Sequence, residues 1–73
     1  MILAADIQHC LETGLPNSQV TVTGDDGRHF DVLVISADFA GKKEIERHRM
    51  VYAVLGDKMK QEIHALSIKT QVL

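Results

Sequence analysis

The sequence predicts an α+β domain in which helices cover one face of a three-stranded sheet, in the order α-β-β-α-β. Apolar residues recur at spacings of three and four over residues 3–13 and 43–62, which is the period of an amphipathic helix. They alternate with polar residues over 19–23 and 64–72, as in half-buried strands, and residues 29–36 form a longer, more apolar strand. A sheet with helices on one face buries all of these stripes together.

The first helix is predicted to have one apolar stripe and a defined end. Asp6 lies in the first turn, where a carboxylate interacts favourably with the helix dipole. Gly14 suits a left-handed C-cap, and Pro16 prevents continuation of the helix. Cys10 lies on the apolar side, so we expect its thiol to be buried against the sheet and inert. The stripe consists of Leu3, Ile7, Cys10, Leu11 and, past the helix end, Leu15.

The next two segments predict an antiparallel pair of strands. In residues 19–23 Val20 and Val22 share one face, and β-branched threonines share the other. Residues 24–27, Gly-Asp-Asp-Gly, suit a hairpin turn because Asp-Gly adopts positive φ at low cost.

The second half of the chain predicts a helix followed by the third strand. Gly56 either breaks this helix into two segments or bends it. In the strand, Leu66 and Ile68 face the core and Lys69 faces away. The helical stripe consists of Ile45, His48, Val51, Tyr52, Leu55, Met59 and Ile63.

Length and composition bound the class of protein. Seventy-three residues with 45% hydrophobic and 25% charged residues predict one folded domain over 1–73. No apolar run approaches the roughly 20 residues of a membrane span, and the N-terminus lacks the pattern of a secretory signal. One cysteine forms no internal disulfide, so we expect a reducing compartment, the cytoplasm.

Candidate chemical groups are few. The sequence contains no Ser-His-Asp pattern and no phosphate loop, so we expect no enzyme and no catalytic residues. His9 is expected at the surface, His48 lies between two arginines, and His29 and His64 each lie at a strand start. No two histidines have the close spacing of a self-contained metal site, which leaves open a site that a partner protein completes.

A basic run precedes and enters the second helix. It contains Lys42, Lys43, Arg47 and Arg49, diluted by two glutamates to a charge of +2 over eight residues. It is either a solvated helix face or a patch for phosphate or an acidic partner. We expect these four residues to form the most positive surface of the molecule. Since the whole chain has a formal net charge of −2, nucleic-acid binding would have to depend on this patch.

Four motifs follow one another in a fixed order within residues 27–70. They are His29-Phe30, Ser36-x-x-Phe39-x-Gly41-Lys42, Arg47-His48-Arg49-x-Val51-Tyr52 and Ile63-His64-Ala65-Leu66. Together they resemble the BolA/IbaG family. The resemblance implies a class II KH-like α-β-β-α-β core, and the Gly-Asp-Asp-Gly turn is more similar to the IbaG branch.

The resemblance implies a role in iron-sulfur metabolism. A histidine in the position of His64 is a ligand of a [2Fe-2S] cluster shared with a monothiol glutaredoxin, which contributes a cysteine, and with glutathione. The cysteine or histidine that other branches carry between the first two strands is missing here. His29 is our first choice for the second ligand, with Asp25, Asp26 or solvent as alternatives.

The resemblance also implies a second function, transcriptional regulation through DNA. Because Gly41-Lys42-Lys43-Glu44 is not a Gly-x-x-Gly clamp, we rank this function second and expect weak, non-specific DNA binding by the basic run. We therefore expect a non-enzymatic adaptor, a monomer or weak homodimer when alone. A structural interaction domain that has lost the cluster role is a third hypothesis.

Overall fold

The computed structural model describes residues 2–24, 26–56, 58, 63 and 65–73. Its elements are α1 (Ala4–Gly14), β1 (Ser18–Thr23), β2 (His29–Ser36), a 3-10 helix (Ala37–Phe39), α2 (Glu44–Leu55) and β3 (Ala65–Val72). The predicted α-β-β-α-β order and the α+β class are confirmed.

The sheet is mixed, in the order β1-β2-β3. β1 and β2 are antiparallel, as predicted, with Val20 opposite Val34. β2 and β3 are parallel, with Phe30 opposite Leu66. A parallel pair needs a long crossover, and the segment that contains the 3-10 helix and α2 supplies it.

One face of the sheet and the inner faces of both helices form the core. Along β2, buried residues alternate with exposed or half-buried ones, so only one face is covered. Leu66 and Ile68 of β3 are half-buried against this core, as predicted. The least accessible hydrophobic side chains are Ile7, Leu11, Val34, Phe39 and Val51.

Three residues of the predicted helical stripes are exposed instead. Leu3 precedes α1 as its N-cap residue and is 57% exposed, whereas Ile2 takes the buried position. Ile45 and Tyr52 lie seven residues apart, on a flank of α2 turned away from Val51. Only these three positions are wrong, because the other hydrophobic stripe residues that the structure describes are buried or half-buried: Ile7, Cys10, Leu11, Leu15, Val51, Leu55 and Ile63.

Two expectations for α1 are wrong. Gly14 was expected to be a left-handed C-cap residue, but it is the last helical residue and its φ is not positive. The C-cap residue is Leu15. A Cβ on Gly14 would lie 2.4 Å from Val54 Cγ1, so the glycine permits the close approach of α1 and α2. Cys10 is half-buried and faces α2 rather than the sheet, with its Sγ 3.8 Å from the Val54 carbonyl oxygen.

α2 ends earlier than the predicted limit of residue 62. Its last helical residue is Leu55, and the amide of Gly56 donates to the Tyr52 carbonyl in the final turn. Of the two alternatives predicted for Gly56, a break or a bend, the structure shows the break. Positions 57 and 59–62, with Met59 of the predicted stripe, lie outside the described residues, and Ile63 is buried.

Candidate functional site

His29 is the first residue of β2, directly after the β1–β2 turn. Its side chain is 63% exposed. The turn folds closely onto it, because a Cβ on Gly24 would lie 2.5 Å from the His29 carbonyl oxygen and 2.8 Å from Phe30 Cδ1. Gly24 also has a φ of 149°, a backbone conformation that residues with a side chain rarely adopt. Glycine at position 24 therefore permits the tight turn that leads into His29.

Asp26 binds His29 through both carboxylate oxygens. Its Oδ1 accepts hydrogen bonds from the backbone amides of Arg28 and His29, both at 2.8 Å. Its Oδ2 lies 2.8 Å from His29 Nδ1. The sequence suggested Asp26 as an alternative metal ligand. The structure instead gives it three hydrogen bonds within the turn.

These contacts determine the charge of Asp26 and the proton position on His29. The hydrogen bonds from the His29 amide, the Arg28 amide and the His29 ring hold the pKa of Asp26 well below its ordinary value. An ionised carboxylate only accepts hydrogen bonds, so His29 Nδ1 donates. In the neutral imidazole the lone pair is then on Nε2.

His64 and Asp25 lie outside the described residues. The residue that follows His64 in the chain, Ala65, is opposite His29 in the parallel pair. The Ala65 amide donates to the Arg28 carbonyl at 2.9 Å. The start of β3 is therefore hydrogen-bonded to the turn that holds His29. Within the described ranges no three His, Cys, Asp or Glu side chains form a group that could hold a metal ion.

The basic residues are only partly brought together. Arg47 Nε donates to the Lys42 carbonyl at 3.0 Å, and its guanidinium lies 5.9 Å from the centre of the Phe39 ring. Lys43 and Arg49 are exposed. Arg49 lies two residues beyond Arg47, which is about 160° around the helix axis. Arg47 thus has a structural role and faces a different direction from Arg49.

The other two histidines lie on the helices. His9 is exposed, as predicted, at the rim of an open cleft of about 660 Å³ between α1 and α2 that Cys10 and Val54 also line. His48 is half-buried, and its Nε2 lies 3.5 Å from Glu44 Oε1, with no hydrogen-bond partner in the part of the chain that the structure describes. This agrees with the electrostatic or packing role expected for His48.

The contribution of Asp26 was missed at the sequence level. Its signal was the spacing Asp-Gly-x-His over residues 26–29, in which an aspartate can accept from the amides two and three residues later. Only the folded turn shows that the second carboxylate oxygen reaches the ring.

The fold and this turn define a small α+β domain that presents a carboxylate-bound histidine at a strand start. Residues 8–72 match the family model described as BolA-like protein, so the chain belongs to the BolA family. No helix in the part of the chain that the structure describes is long and apolar enough to cross a membrane.

Known relatives agree with this assignment. Protein BOLA2 of Arabidopsis thaliana is 54% identical over 50 residues, which are 68% of this chain and 53% of that protein. The DNA-binding transcriptional regulator BolA of Escherichia coli (strain K12) is 36% identical over 45 residues, 62% of this chain and 43% of that protein. The chain thus spans about half the length of these curated relatives.

A solved structure agrees as well. The structure of a bolA protein homologue from Coxiella burnetii is similar with a TM-score of 0.88 and 44% sequence identity. The match covers 99% of this chain and 92% of that one. The predicted family is therefore confirmed along with the fold.

Proposed function

We propose that this protein is a non-enzymatic adaptor that shares a [2Fe-2S] cluster with a monothiol glutaredoxin and glutathione. His64 and His29 are its cluster ligands. The observation that carries the proposal is the arrangement at the turn, where Asp26 holds the His29 ring and Ala65, the neighbour of His64 in the chain, pairs with His29. Membership of the BolA family supports it.

The donor chemistry suits such a cluster. Neutral imidazole is a good ligand for iron, and the contact with Asp26 leaves His29 Nε2 as the nitrogen with a lone pair. A carboxylate bonded to the other ring nitrogen is the usual support of a metal-binding histidine. Asp26 therefore fits the supporting role better than the role of a ligand.

Histidine ligands would affect the reduction potential and the pH sensitivity of the cluster. Imidazole in place of thiolate raises the reduction potential of a [2Fe-2S] centre and makes the ligand protonatable. This chain would contribute two imidazoles, of which that of His29 lies exposed beside the β1–β2 turn, and the partner would supply thiolates. Such a site suits a cluster that is handed on or sensed.

Reconstitution with a monothiol glutaredoxin, iron, sulfide and glutathione tests the proposal, with visible circular dichroism as the readout. We expect His64→Ala to change or abolish the cluster spectrum and His29→Ala to change it comparably. His9→Ala is the matched control, because His9 is an exposed histidine on α1, and it should leave the spectrum unchanged. Cluster binding should weaken at acidic pH, because a protonated imidazole has no lone pair for iron.

Two outcomes of these substitutions would contradict the proposed ligands. If His64→Ala leaves the spectrum, the stability of the cluster and its pH dependence unchanged, His64 is not a ligand. The chain would then be better described as a structural interaction domain. If only His29→Ala has no effect, His64 remains a ligand and the second ligand is another group.

DNA binding is the second candidate function. It is favoured by the exposed Lys43 and Arg49, and one relative carries the name of a DNA-binding transcriptional regulator. Against it, Arg47 is bonded within the protein and lies on another side of α2 from Arg49. A steep dependence of affinity on salt, without sequence preference, is the behaviour that this surface supports.

A further inference from the structure

The two edges of the sheet differ in how much of their backbone is already hydrogen-bonded. On the outer edge of β1, the amide of Ser18 donates to the Leu15 carbonyl at 3.1 Å. The amide of Val22 donates to Gln8 Oε1 at 3.4 Å. Because successive amides of a strand point to opposite edges, Val20 carries the third outward amide of β1. Two of these three amides therefore have partners in α1 or directly after it.

The outer edge of β3 carries a row of backbone groups that bond to nothing in the described chain. The amide of Ala65 donates to the Arg28 carbonyl, and the amide of Leu73 donates to the Ser36 carbonyl at 3.3 Å. The odd-numbered residues of β3 therefore bond to β2, and the even-numbered ones direct their amides and carbonyls away from the sheet. These even-numbered residues are Leu66, Ile68, Thr70 and Val72.

The side chains along this edge are incompletely covered as well. Val20 and Val22 of β1 are buried in the core, whereas Leu66 and Ile68, on the same face of the sheet, are only half-buried. Val72 is 39% exposed. A strand added beside β3 would cover the exposed part of these side chains and would bond to the outward backbone groups at the same time.

Lys69 determines the kind of strand that fits. It is the only charged residue of β3, and it lies exposed near the middle of the strand on the face away from the helices. A second copy of β3, paired antiparallel about Ile68 to Thr70, would place two lysines opposite or diagonal to each other, where like charges repel. Edge strands use lysine in this way to oppose self-pairing. A carboxylate opposite Lys69 would instead form a favourable cross-strand pair.

We propose that the outer edge of β3 is a docking site for an extended segment of a partner protein, which adds a fourth strand to the sheet. The segment has apolar residues on the face of the helices and a carboxylate opposite Lys69. This inference does not depend on the cluster proposal, since it uses the edge of β3 that faces away from β2.

Hydrogen exchange of the backbone amides, followed by NMR on the whole chain, tests the state of this edge. In the free protein we expect the even-numbered amides of β3 to exchange faster than the odd-numbered ones. The probe is the capped peptide Thr-Val-Thr-Val-Glu-Val-Thr-Val-Thr, which has the required alternation and a central carboxylate. At a free peptide concentration of about ten times its dissociation constant, exchange at Ile68 and Thr70 should slow about tenfold. The odd-numbered amides should change little.

A charge exchange tests the role of Lys69. A peptide with lysine in place of the glutamate should bind roughly threefold to tenfold more weakly. Lys69→Glu should reverse this preference between the two peptides. Lys43→Glu is the matched control, because Lys43 is an exposed lysine outside the sheet, and it should leave the preference unchanged. If Lys69→Glu does not alter the preference, the carboxylate is not recognised by Lys69 and the inference is wrong.

Three results of the exchange experiment would also overturn the inference. If the even-numbered amides of the free chain are protected as strongly as the odd-numbered ones, the edge of β3 is already covered. If neither peptide slows exchange at Ile68 and Thr70 at millimolar concentration, this edge accepts no such strand. If these amides become protected as the concentration of the chain itself rises, the occupant is a second copy rather than an acidic segment.

Discussion

Gly14→Ala is expected to destabilise the protein, although alanine is the better helix former. The added Cβ would lie 2.4 Å from Val54 Cγ1, 3.0 Å from Cγ2 and 3.2 Å from Cβ. A valine in a helix has one strongly preferred rotamer, so Val54 cannot rotate out of the way. The two helices must therefore separate or the backbone must shift.

The magnitude follows from two opposing effects. Overpacking of this kind costs roughly 1–3 kcal/mol. Replacing glycine by alanine in a helix stabilises by about 0.5–1 kcal/mol, and less at the last helical position. The net loss is then about 1–2 kcal/mol, which lowers the melting temperature of a domain of this size by roughly 4–16 °C.

Thermal and urea denaturation of a double-mutant cycle with Val54→Ala tests this reasoning. Deleting both Cγ atoms leaves only the 3.2 Å contact with Cβ, so Gly14→Ala should be nearly neutral or stabilising in that background. We expect a coupling energy of about 1–2 kcal/mol between the two positions. If Gly14→Ala raises the melting temperature of the otherwise unchanged chain, the close approach of α1 and α2 does not constrain this position.

Two further changes test the 3-10 helix and the basic surface. Ser36 is 2% exposed, and its hydroxyl donates to the Asn17 carbonyl and accepts from the Asp38 amide. Ser36→Ala should lower the free energy of unfolding by about 1–3 kcal/mol. Urea denaturation should show this as a lower midpoint with an unchanged m-value. If the basic run binds DNA with up to four phosphate contacts, affinity should fall about 10²-fold between 50 and 200 mM salt. Reversing the charge of Lys43 and Arg49 should then abolish binding, whereas reversing that of Lys69 should not. Sequence-specific nanomolar affinity at physiological salt would instead favour the regulator over the adaptor.

The order and type of the elements could be predicted because they depend on local pattern. Alternation predicted β1 and β3, and the Gly-Asp-Asp-Gly turn predicted the antiparallel β1–β2 pair. Gly56 predicted an interruption of the second helix, because the low helix propensity of glycine does not depend on what the helix packs against. These signals lie within a few residues of their effect.

The candidate site could be predicted in part. His29 was selected because iron favours imidazole over a lone carboxylate, and the structure adds that the His29 ring contacts Asp26. Asp26 was considered only as an alternative ligand, because residue type alone does not show which hydrogen bonds a carboxylate accepts. Only the distances within the turn show its contacts with the two amides and the ring.

By itself, the sequence determined the α+β class and the family, because periodicity and motif spacing are properties of the chain alone. The candidate ligands were only implied by the resemblance to that family. The tertiary structure decided what lies across from each residue. It showed that Gly14 makes room for Val54 rather than capping α1, and that Cys10 faces α2 rather than the sheet. It also brought Ala65 opposite His29 across a parallel pair. Contacts between distant parts of the chain depend on how the helices and strands pack, and no local pattern encodes those distances.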